Sequence, residues 1–253
     1  AAALAGRAAV HFGAGYVRLA CPGALQPALA AADPSLTTVA IGSGQRFGTT
    51  SATAVLEAGD RFDVMALGPG LGAGREGFVQ ALLERWDRPM VLDADAIAAA
   101  GVEALAARKH PTVITPHAGE FHRLTGEDAG YRQAAALAER TGAVVLLKGN
   151  PTVAAGKERW LVTTGGPELA TLGSGDVLTG MIAALIARGL DPEIAARSAA
   201  FRHGRAAAHL ARPGNGIYGR QLDYLKDKIE SISGDLVLMG DFNDDKAHVQ
   251  DAF

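Results

Sequence analysis

The chain has 253 residues, a formal net charge of −3 and a hydrophobic content of 48%, which describe a globular chain that can bury a large core in one or two domains. No long basic run favours nucleic acid or an anionic membrane, and no apolar run reaches the roughly 18 residues of a membrane span. Cys21 is the only cysteine, so an internal disulfide is excluded and a reducing cytoplasm is the expected location.

Helical and strand patterns alternate along most of the chain. The sequence begins inside a helical pattern, without an initiator Met or a signal-peptide cleavage pattern, so we expect a truncated start. In chain order the predicted elements are helix 1–12, strands 16–20 and 37–41, helix 51–58, strand 63–67, helix 77–86, strand 90–93, helix 102–107, strand 112–115, helices 119–124 and 131–141, strands 144–148 and 159–163, and helices 176–188 and 192–211.

Strands separated by helices in this way predict βαβ units, and hence an α/β fold with a mostly parallel sheet and helices on both faces. Several of the strands are continuous apolar runs, as strands buried on both sides are. Ligands of such sheets bind beyond the carboxyl ends of the strands. The glycine-rich and acidic clusters of this chain follow predicted strands, so we expect them to meet at one site.

The most informative cluster is the glycine-rich turn before the predicted helix 176–188. Gly173, Ser174 and Gly175 fall where the first N–H groups of that helix are unpaired and form an anion hole. Asp176 is suited to accept a proton from a hydroxyl while those N–H groups hold an arriving phosphoryl group. The alternative, that Ser174 or Asp176 only caps the helix, stays open on this segment alone.

A second glycine-rich loop follows the third predicted strand. Gly68, Gly70 and Ala73 partly fit a dinucleotide-binding fingerprint with Asp93 as its acid, but Pro69 removes a donor that the pyrophosphate turn uses. We therefore favour a loop whose glycines let the backbone approach a ligand closely. A plain tight turn is the alternative.

Two further clusters follow buried strands. His117 and Glu120 lie where a strand gives way to a helix; the imidazole is either a binding group or a solvated loop residue, and the carboxylate either helps to hold Mg²⁺ through water or caps the helix. Lys148 ends a strand, where its ammonium requires an anion. That anion is either a nucleotide phosphate or the carboxylate of Asp93 or Asp95.

Six segments occur in an order that is specific in combination: 68–72 (GPGLG), 91–96 (VLDADA), 115–120 (TPHAGE), 147–152 (LKGNPT), 170–180 (ATLGSGDVLTG) and 203–204 (HG). Together they resemble the ADP/ATP-dependent NAD(P)H-hydrate dehydratases of the ribokinase-like superfamily, over about residues 1–216. The resemblance implies a ribokinase-like three-layer sandwich. It also implies repair of NADH or NADPH that has added water, at the expense of ADP or ATP with Mg²⁺, and it suggests a homotetramer.

The resemblance also implies roles for individual residues. Asp176 would be the catalytic base and would face the hydrated nicotinamide together with Gly70, Gly72 and His117. The nucleotide would be bound by Lys148, Gly149, Asn150, Pro151, Thr152 and Gly175. Because water is a poor leaving group, we expect the ring hydroxyl to be phosphorylated first and phosphate then to be expelled.

The chain departs from this family at both ends. The family's first strand and its Pro-Gly-Ala loop have no counterpart here, and residues 217–253 differ in composition from residues 1–216. Residues 235–243 resemble a fragment of the endonuclease/exonuclease/phosphatase family, without that family's metal-binding Glu and catalytic His. We expect a tail that is neither an independent domain nor a working nuclease: a fused fragment, a junction, or a strand that fills a lost edge.

Two other functions stay open at this point. A small-molecule kinase of the same superfamily, acting on a hydroxymethylpyrimidine, a thiazole or a sugar alcohol, would use the same Gly-x-Gly-Asp segment. An inactive nucleotide-binding remnant is the second alternative.

Overall fold

A computed structural model describes residues 1–210 and the strand Val237–Asp241. The strands of this part are β1 (Tyr16–Pro22), β2 (Thr37–Ile41), β3 (Val64–Leu67), β4 (Met90–Leu92), β5 (Thr112–Ile114), β6 (Val144–Leu147), β7 (Thr152–Ala155), β8 (Arg159–Val162) and β9 (Val237–Asp241). The helices are α1 (Ala2–His11), α2 (Gln26–Ala32), α3 (Ser51–Gly59), α4 (Glu76–Arg85), α5 (Asp95–Ala100), α6 (Val102–Ala107), α7 (Ala118–Thr125), α8 (Tyr131–Thr141), α9 (Ser174–Ala187) and α10 (Pro192–Leu210), with a 3₁₀ turn at Pro167–Leu169.

The nine described strands form one sheet in the order β2-β1-β9-β3-β4-β5-β6-β7-β8. Strands β3 to β6 are parallel to one another, as are β1 and β2. The hairpin of β7 and β8 extends the sheet in antiparallel fashion. Strand β9 lies antiparallel between β1 and β3, with Leu238 opposite Leu19 on one side and Ala66 on the other. A strand of the tail therefore lies in the interior of the sheet, so the alternative that the tail fills a lost edge is wrong as to the position.

Alternate residues of the central strands enter two separate cores. On β3, Val64 and Ala66 pack with α1, α9 and α10, whereas Met65 and Leu67 pack with helices α3 to α8 on the opposite face. This alternation is what a parallel sheet buried on both faces requires. It confirms the predicted three-layer α/β sandwich with a mostly parallel sheet.

Helix α9 is held deep in the first of these layers. Its residues from Leu178 to Ala187 are buried, because α1 covers it on one side and the sheet on the other. Gly180 makes this close approach possible, since a Cβ at that position would lie 2.0 Å from the Ala5 carbonyl oxygen. The packing fixes the start of α9 relative to the ends of the parallel strands.

The seven predicted strands and the predicted helices of residues 1–210 are present, with ends that differ by one or two residues. Helices α2 and α5 and strand β7 were not predicted. The end predicted at residue 211 and the domain boundary expected at 216 lie outside the described residues. Within the described part, none of the helices combines the length and the apolar character needed to cross a membrane.

Candidate active site

Four loops lie side by side at one edge of the sheet, because β3, β4, β5 and β6 are parallel and end there. These loops begin at Gly68, Asp93, Thr115 and Lys148. The pairing of β5 and β6 continues into the loops, where the Lys148 N–H donates to the Pro116 carbonyl at 2.7 Å. The clusters that the sequence singled out are thereby brought into one region.

Asp93 is the centre of this region. Its side chain is almost fully buried, with a relative exposure of 2%. Oδ1 accepts hydrogen bonds from Thr115 Oγ1 at 2.8 Å and from Lys148 Nζ at 2.7 Å, and Oδ2 accepts one from Thr179 Oγ1 at 2.9 Å. One carboxylate thus joins the ends of β4, β5 and β6 to helix α9. The sequence indicated Asp93 only as a possible partner of Lys148 or as the acid of a fingerprint.

Lys148 lies against the first turn of α9. Its Nζ pairs with Asp93 and is 3.5 Å from Glu120 Oε2. A Cβ on Gly175 would lie 3.3 Å from this Nζ and 3.7 Å from Asp93 Oδ2, so the glycine leaves room for the ion pair. The predicted carboxylate pairing of Lys148 is confirmed for Asp93. Asp95 instead accepts a hydrogen bond from the Gly72 N–H at 3.0 Å.

Residues 149–152 form the exposed turn between β6 and β7. Gly149, Asn150 and Pro151 are exposed, and the Asn150–Pro151 peptide is cis. The Thr152 hydroxyl donates to the Gly149 carbonyl at 2.9 Å and holds the turn together. The predicted nucleotide-binding loop is therefore a surface hairpin that starts at Lys148.

The glycine-rich loop 68–72 packs tightly on the segment after β4. A Cβ on Gly68 would lie 1.7 Å from the Asp93 carbonyl oxygen, and the φ of Gly68 is +125°, so a side chain is excluded there. Gly70 and Gly72 also have positive φ and are exposed at the rim of the site. Ala94 has a φ of 48°, which is strained for a residue with a Cβ. Backbone strain is thus concentrated where two loops meet beside Asp93.

His117 and Glu120 form a reciprocal cap at the start of α7. His117 Nδ1 accepts hydrogen bonds from the N–H groups of Gly119 at 3.0 Å and Glu120 at 3.2 Å, and Glu120 Oε2 accepts one from the His117 N–H at 2.8 Å. The His117 ring remains more than half exposed. Among the described residues, no group of three His, Cys, Asp or Glu side chains is placed to hold a metal ion. The capping role that we considered for Glu120 is the one observed.

Gly173, with a φ of +90°, is the N-terminal cap of α9. No side chain caps this end of the helix, so the alternative that Ser174 or Asp176 serves as the cap is wrong. The Ser174 hydroxyl instead lies 2.6 Å from the Leu169 carbonyl and 3.0 Å from the Thr171 carbonyl. Asp176 lies in the first turn of α9 and does not cap the helix.

The pKa of Asp176 is raised above its ordinary value, chiefly because burial penalises the charged carboxylate. Asp93 also raises that pKa, and Lys148 lowers it. A half-buried carboxylate with a raised pKa at a helix N-terminus is a better general base near neutral pH than an exposed one.

His203 reaches the same region from helix α10. Its pKa is lowered to about 4, first by burial and then by the positive charge of Lys148. The neighbouring Gly204 packs against the turn that follows β8, where a Cβ would lie 2.4 Å from the Thr164 carbonyl carbon. His203 and Gly204 belong to the segments that resemble the dehydratase family, and the sequence alone indicated no role for either residue.

Residues 1–231 match the family model described as NAD(P)H-hydrate dehydratase. The chain belongs to this family. It is 43% identical over 219 residues to the bifunctional NAD(P)H-hydrate repair enzyme Nnr of Salinibacter ruber, covering 81% of this chain and 40% of that protein. It is 34% identical over 220 residues to the ADP-dependent (S)-NAD(P)H-hydrate dehydratase of Xanthomonas campestris pv. campestris, covering 83% and 75%. The chain thus spans about two fifths of the length of the bifunctional relatives and most of the length of the second protein.

Solved structures agree with this assignment. The ADP/ATP-dependent NAD(P)H-hydrate dehydratase of Bacillus subtilis, co-crystallised with ATP and Mg²⁺, superposes with a TM-score of 0.67 at 28% identity, covering 91% of this chain and 84% of that one. A hydroxyethylthiazole kinase from Pyrococcus horikoshii has a TM-score of 0.54 at 17% identity, covering 88% and 92%, and shares the fold. The predicted family and the ribokinase-like fold are confirmed.

Proposed function

We propose that this member of the NAD(P)H-hydrate dehydratase family dehydrates NADH or NADPH that has added water, with ADP or ATP as the phosphoryl donor. The observation that carries the proposal is the position of Asp176. It is a half-buried carboxylate in the first turn of α9, and Gly175, the residue before it, packs against Lys148. A base, a helix N-terminus and a cation at one point are the groups that phosphoryl transfer to a hydroxyl requires.

In the first step, Asp176 accepts the proton of the ring hydroxyl as the hydroxyl oxygen attacks the terminal phosphoryl group. The bond between that phosphorus and the bridging oxygen of the nucleotide breaks. The N–H groups at the start of α9 stabilise the charge on the transferring group. The Ser174 N–H is 3.3 Å from the Thr171 carbonyl oxygen, so we assign most of this role to Gly173 and Gly175.

In the second step, phosphate leaves with the electron pair of its carbon–oxygen bond, and the adjacent ring atom loses a proton. The ring double bond is restored, so water is removed overall while one phosphoanhydride bond is consumed. Gly70, Gly72 and His117 are proposed to line the space for the nicotinamide. Their exposure at the rim of the site supports this role.

The nucleotide is proposed to bind along the turn that starts at Lys148 and includes Gly149, Asn150, Pro151 and Thr152. The Lys148 ammonium lies against Gly175 at the start of α9, where the terminal phosphate would lie. Mg²⁺ would arrive on the phosphates, neutralise their charge and keep most of its water ligands, since it seldom requires a cage of protein side chains. We do not assign it to Glu120, because one oxygen of that carboxylate caps α7 and also approaches Lys148.

A direct assay tests the proposal. The purified chain is incubated with hydrated NADH or NADPH and with ADP or ATP, and the return of absorbance in the reduced-nicotinamide band is followed. Nucleotide-dependent recovery is expected, and omission of the nucleotide is the control. Phosphorylation of a hydroxymethylpyrimidine, a thiazole or a sugar alcohol without recovery of the hydrate would favour the kinase alternative. Nucleotide binding with neither reaction would favour the inactive remnant.

We also propose a homo-oligomer in a reducing cytoplasm. The edge strand β8 exposes Trp160 by 44% and Leu161 by 53%, which is unusual for a strand that faces only water. Cys21 is a buried free thiol. Light scattering on the purified chain tests the oligomer, and a monomeric mass at micromolar concentration would contradict it.

For the tail we propose a structural role within the sheet of the 1–216 domain. Strand β9 pairs with β1 on one side and β3 on the other, and Asp241 lies opposite Tyr16 at the end of the pairing. Asn243, the other residue of the nuclease-like turn, lies outside the described residues. Mg²⁺-dependent cleavage of DNA or RNA that is abolished by Asp241→Ala would contradict this role.

A further inference from the structure

We propose that Asp93 is a positioning residue that places the Lys148 ammonium and the first turns of α9 relative to each other, so that Lys148 meets the nucleotide and Asp176 meets the substrate hydroxyl. The inference rests on the proposed function and adds to it a residue in contact with neither ligand.

The buried carboxylate of Asp93 connects several elements of the site. Asp93 accepts hydrogen bonds from Thr115, Lys148 and Thr179, at 2.8, 2.7 and 2.9 Å. These donors belong to the end of β5, the end of β6 and helix α9. A carboxylate with 2% exposure is costly to bury unless it is paired, and here both oxygens are occupied. Removal of its charge would therefore disturb several elements of the site at once.

Asp93 also attracts the Lys148 ammonium towards the start of α9. An ammonium beside a helix N-terminus is repelled by the partial positive charge of that terminus. Asp93 offsets the repulsion, and the Gly175 backbone leaves space for the pair. The other carboxylate within reach is Glu120, whose Oε2 is 3.5 Å from Nζ. Without Asp93, the ammonium is expected to move towards Glu120 and away from the start of α9.

Asp93 and Lys148 also act electrostatically on Asp176. Among the side chains that the structure describes, these two charged groups change the pKa of Asp176, and Lys148 also lowers that of His203. Asp93 raises the pKa of Asp176, whereas Lys148 lowers it. The two members of the ion pair therefore act on the pKa of the proposed base with opposite signs, so substitution of each should move the acid limb of activity in opposite directions.

The experiment compares Asp93→Asn and Lys148→Met with the full-length wild type. Activity requires ionised Asp176 and is lost as the pH falls through its pKa. For Asp93→Asn we expect this acid limb of kcat to move to lower pH, and for Lys148→Met to higher pH. We also expect the dissociation constant for ADP to rise about tenfold in Asp93→Asn, because Lys148 is displaced. Glu103→Gln, which alters an exposed ion pair with Arg140 on α8, is the control and should change neither quantity.

A milder variant covers the case in which Asp93→Asn does not fold. The double variant Thr115→Val, Thr179→Val removes two hydrogen bonds and keeps the Asp93 charge. It is expected to lower kcat and weaken ADP binding several-fold while the acid limb stays in place. Unchanged ADP affinity and an unchanged acid limb in Asp93→Asn, with wild-type turnover intact, would overturn the proposal and leave the function standing. If the wild type does not turn over, the proposed function fails. The role of Asp93 is then tested by ADP affinity, measured by calorimetry. It is overturned if the variants bind ADP as the wild type does, or if the wild type does not bind ADP.

Discussion

Replacement of Asp176 by Asn separates catalysis from folding in this site. The amide keeps the size and shape of the side chain, and Gly173, not Asp176, is the N-terminal cap of α9. The start of the helix should therefore survive. The amide cannot take a proton from the substrate hydroxyl, and loss of a general base lowers turnover by roughly 10²- to 10⁴-fold. We expect a loss of about 10³-fold, within that range, or about 4 kcal/mol of transition-state stabilisation.

The stability of the same variant gives an independent readout. A carboxyl whose pKa is higher in the folded than in the unfolded state binds more protons when folded, so stability falls as the pH rises through the unfolded and folded pKa. At neutral pH the charged Asp176 thus costs stability, and Asp176→Asn should melt at a higher temperature than the wild type. Turnover is measured with hydrated NADH, ADP affinity by calorimetry and melting by circular dichroism, with Glu103→Gln as control. Turnover within threefold of the wild type, with ADP affinity kept, would refute the role of Asp176 as base.

Three further substitutions test the framework around the site by chemical denaturation. Gly68→Ala should lower the free energy of unfolding by about 3 kcal/mol, because the new Cβ meets a backbone carbonyl oxygen. Gly74→Ala, with no atom within 4 Å of the new Cβ, should lower it by only about 1 kcal/mol through backbone strain. Equal losses in the two variants would contradict the close packing of Gly68. Arg108→Met should lower the free energy of unfolding by about 3 kcal/mol, because the Arg108 guanidinium donates to three backbone carbonyls around the end of α4. Arg140→Met, which removes an exposed ion pair, should lower it by less than about 1 kcal/mol. His203, with a pKa lowered to about 4, is protonated more readily in the unfolded chain, so stability should fall between about pH 6.5 and pH 4 by at most about 3 kcal/mol. In His203→Gln that acid loss should shrink, and an identical pH dependence would refute the burial of this imidazole.

The sequence predicted the layers of the fold because local patterns carry them. Continuous apolar runs such as Val144–Leu147 predict buried parallel strands, and they are the strands that α helices cover on both faces. Strand β7 was missed because it follows a Gly-Asn-Pro turn, and its first residue was interpreted as part of a binding loop. Helix α2 was missed because Pro27 and a short alanine run carry little periodicity.

The position of β9 could not be predicted, because strand order depends on pairings between residues far apart in the chain. Residues 235–243 read as a strand, but the pairing of Leu238 with Leu19 and Ala66 spans more than 170 residues.

Asp93 shows why a site can be found from its motifs while its organisation is missed. The spacing of the glycines and the lysine at the end of a strand indicate ligand binding, because these residue types have few other roles at such positions. A carboxylate at the end of β4 has several uses, and only the meeting of Thr115, Lys148 and Thr179 around it selects one. The backbone beside it is strained at Ala94, and Asp176 nearby carries a charge that burial opposes. Both features lower stability, and folding alone gives no reason for either. Their concentration around one ion pair is what a site selected for chemistry should show, and it explains why removal of the Asp176 charge is expected to raise stability as it abolishes turnover.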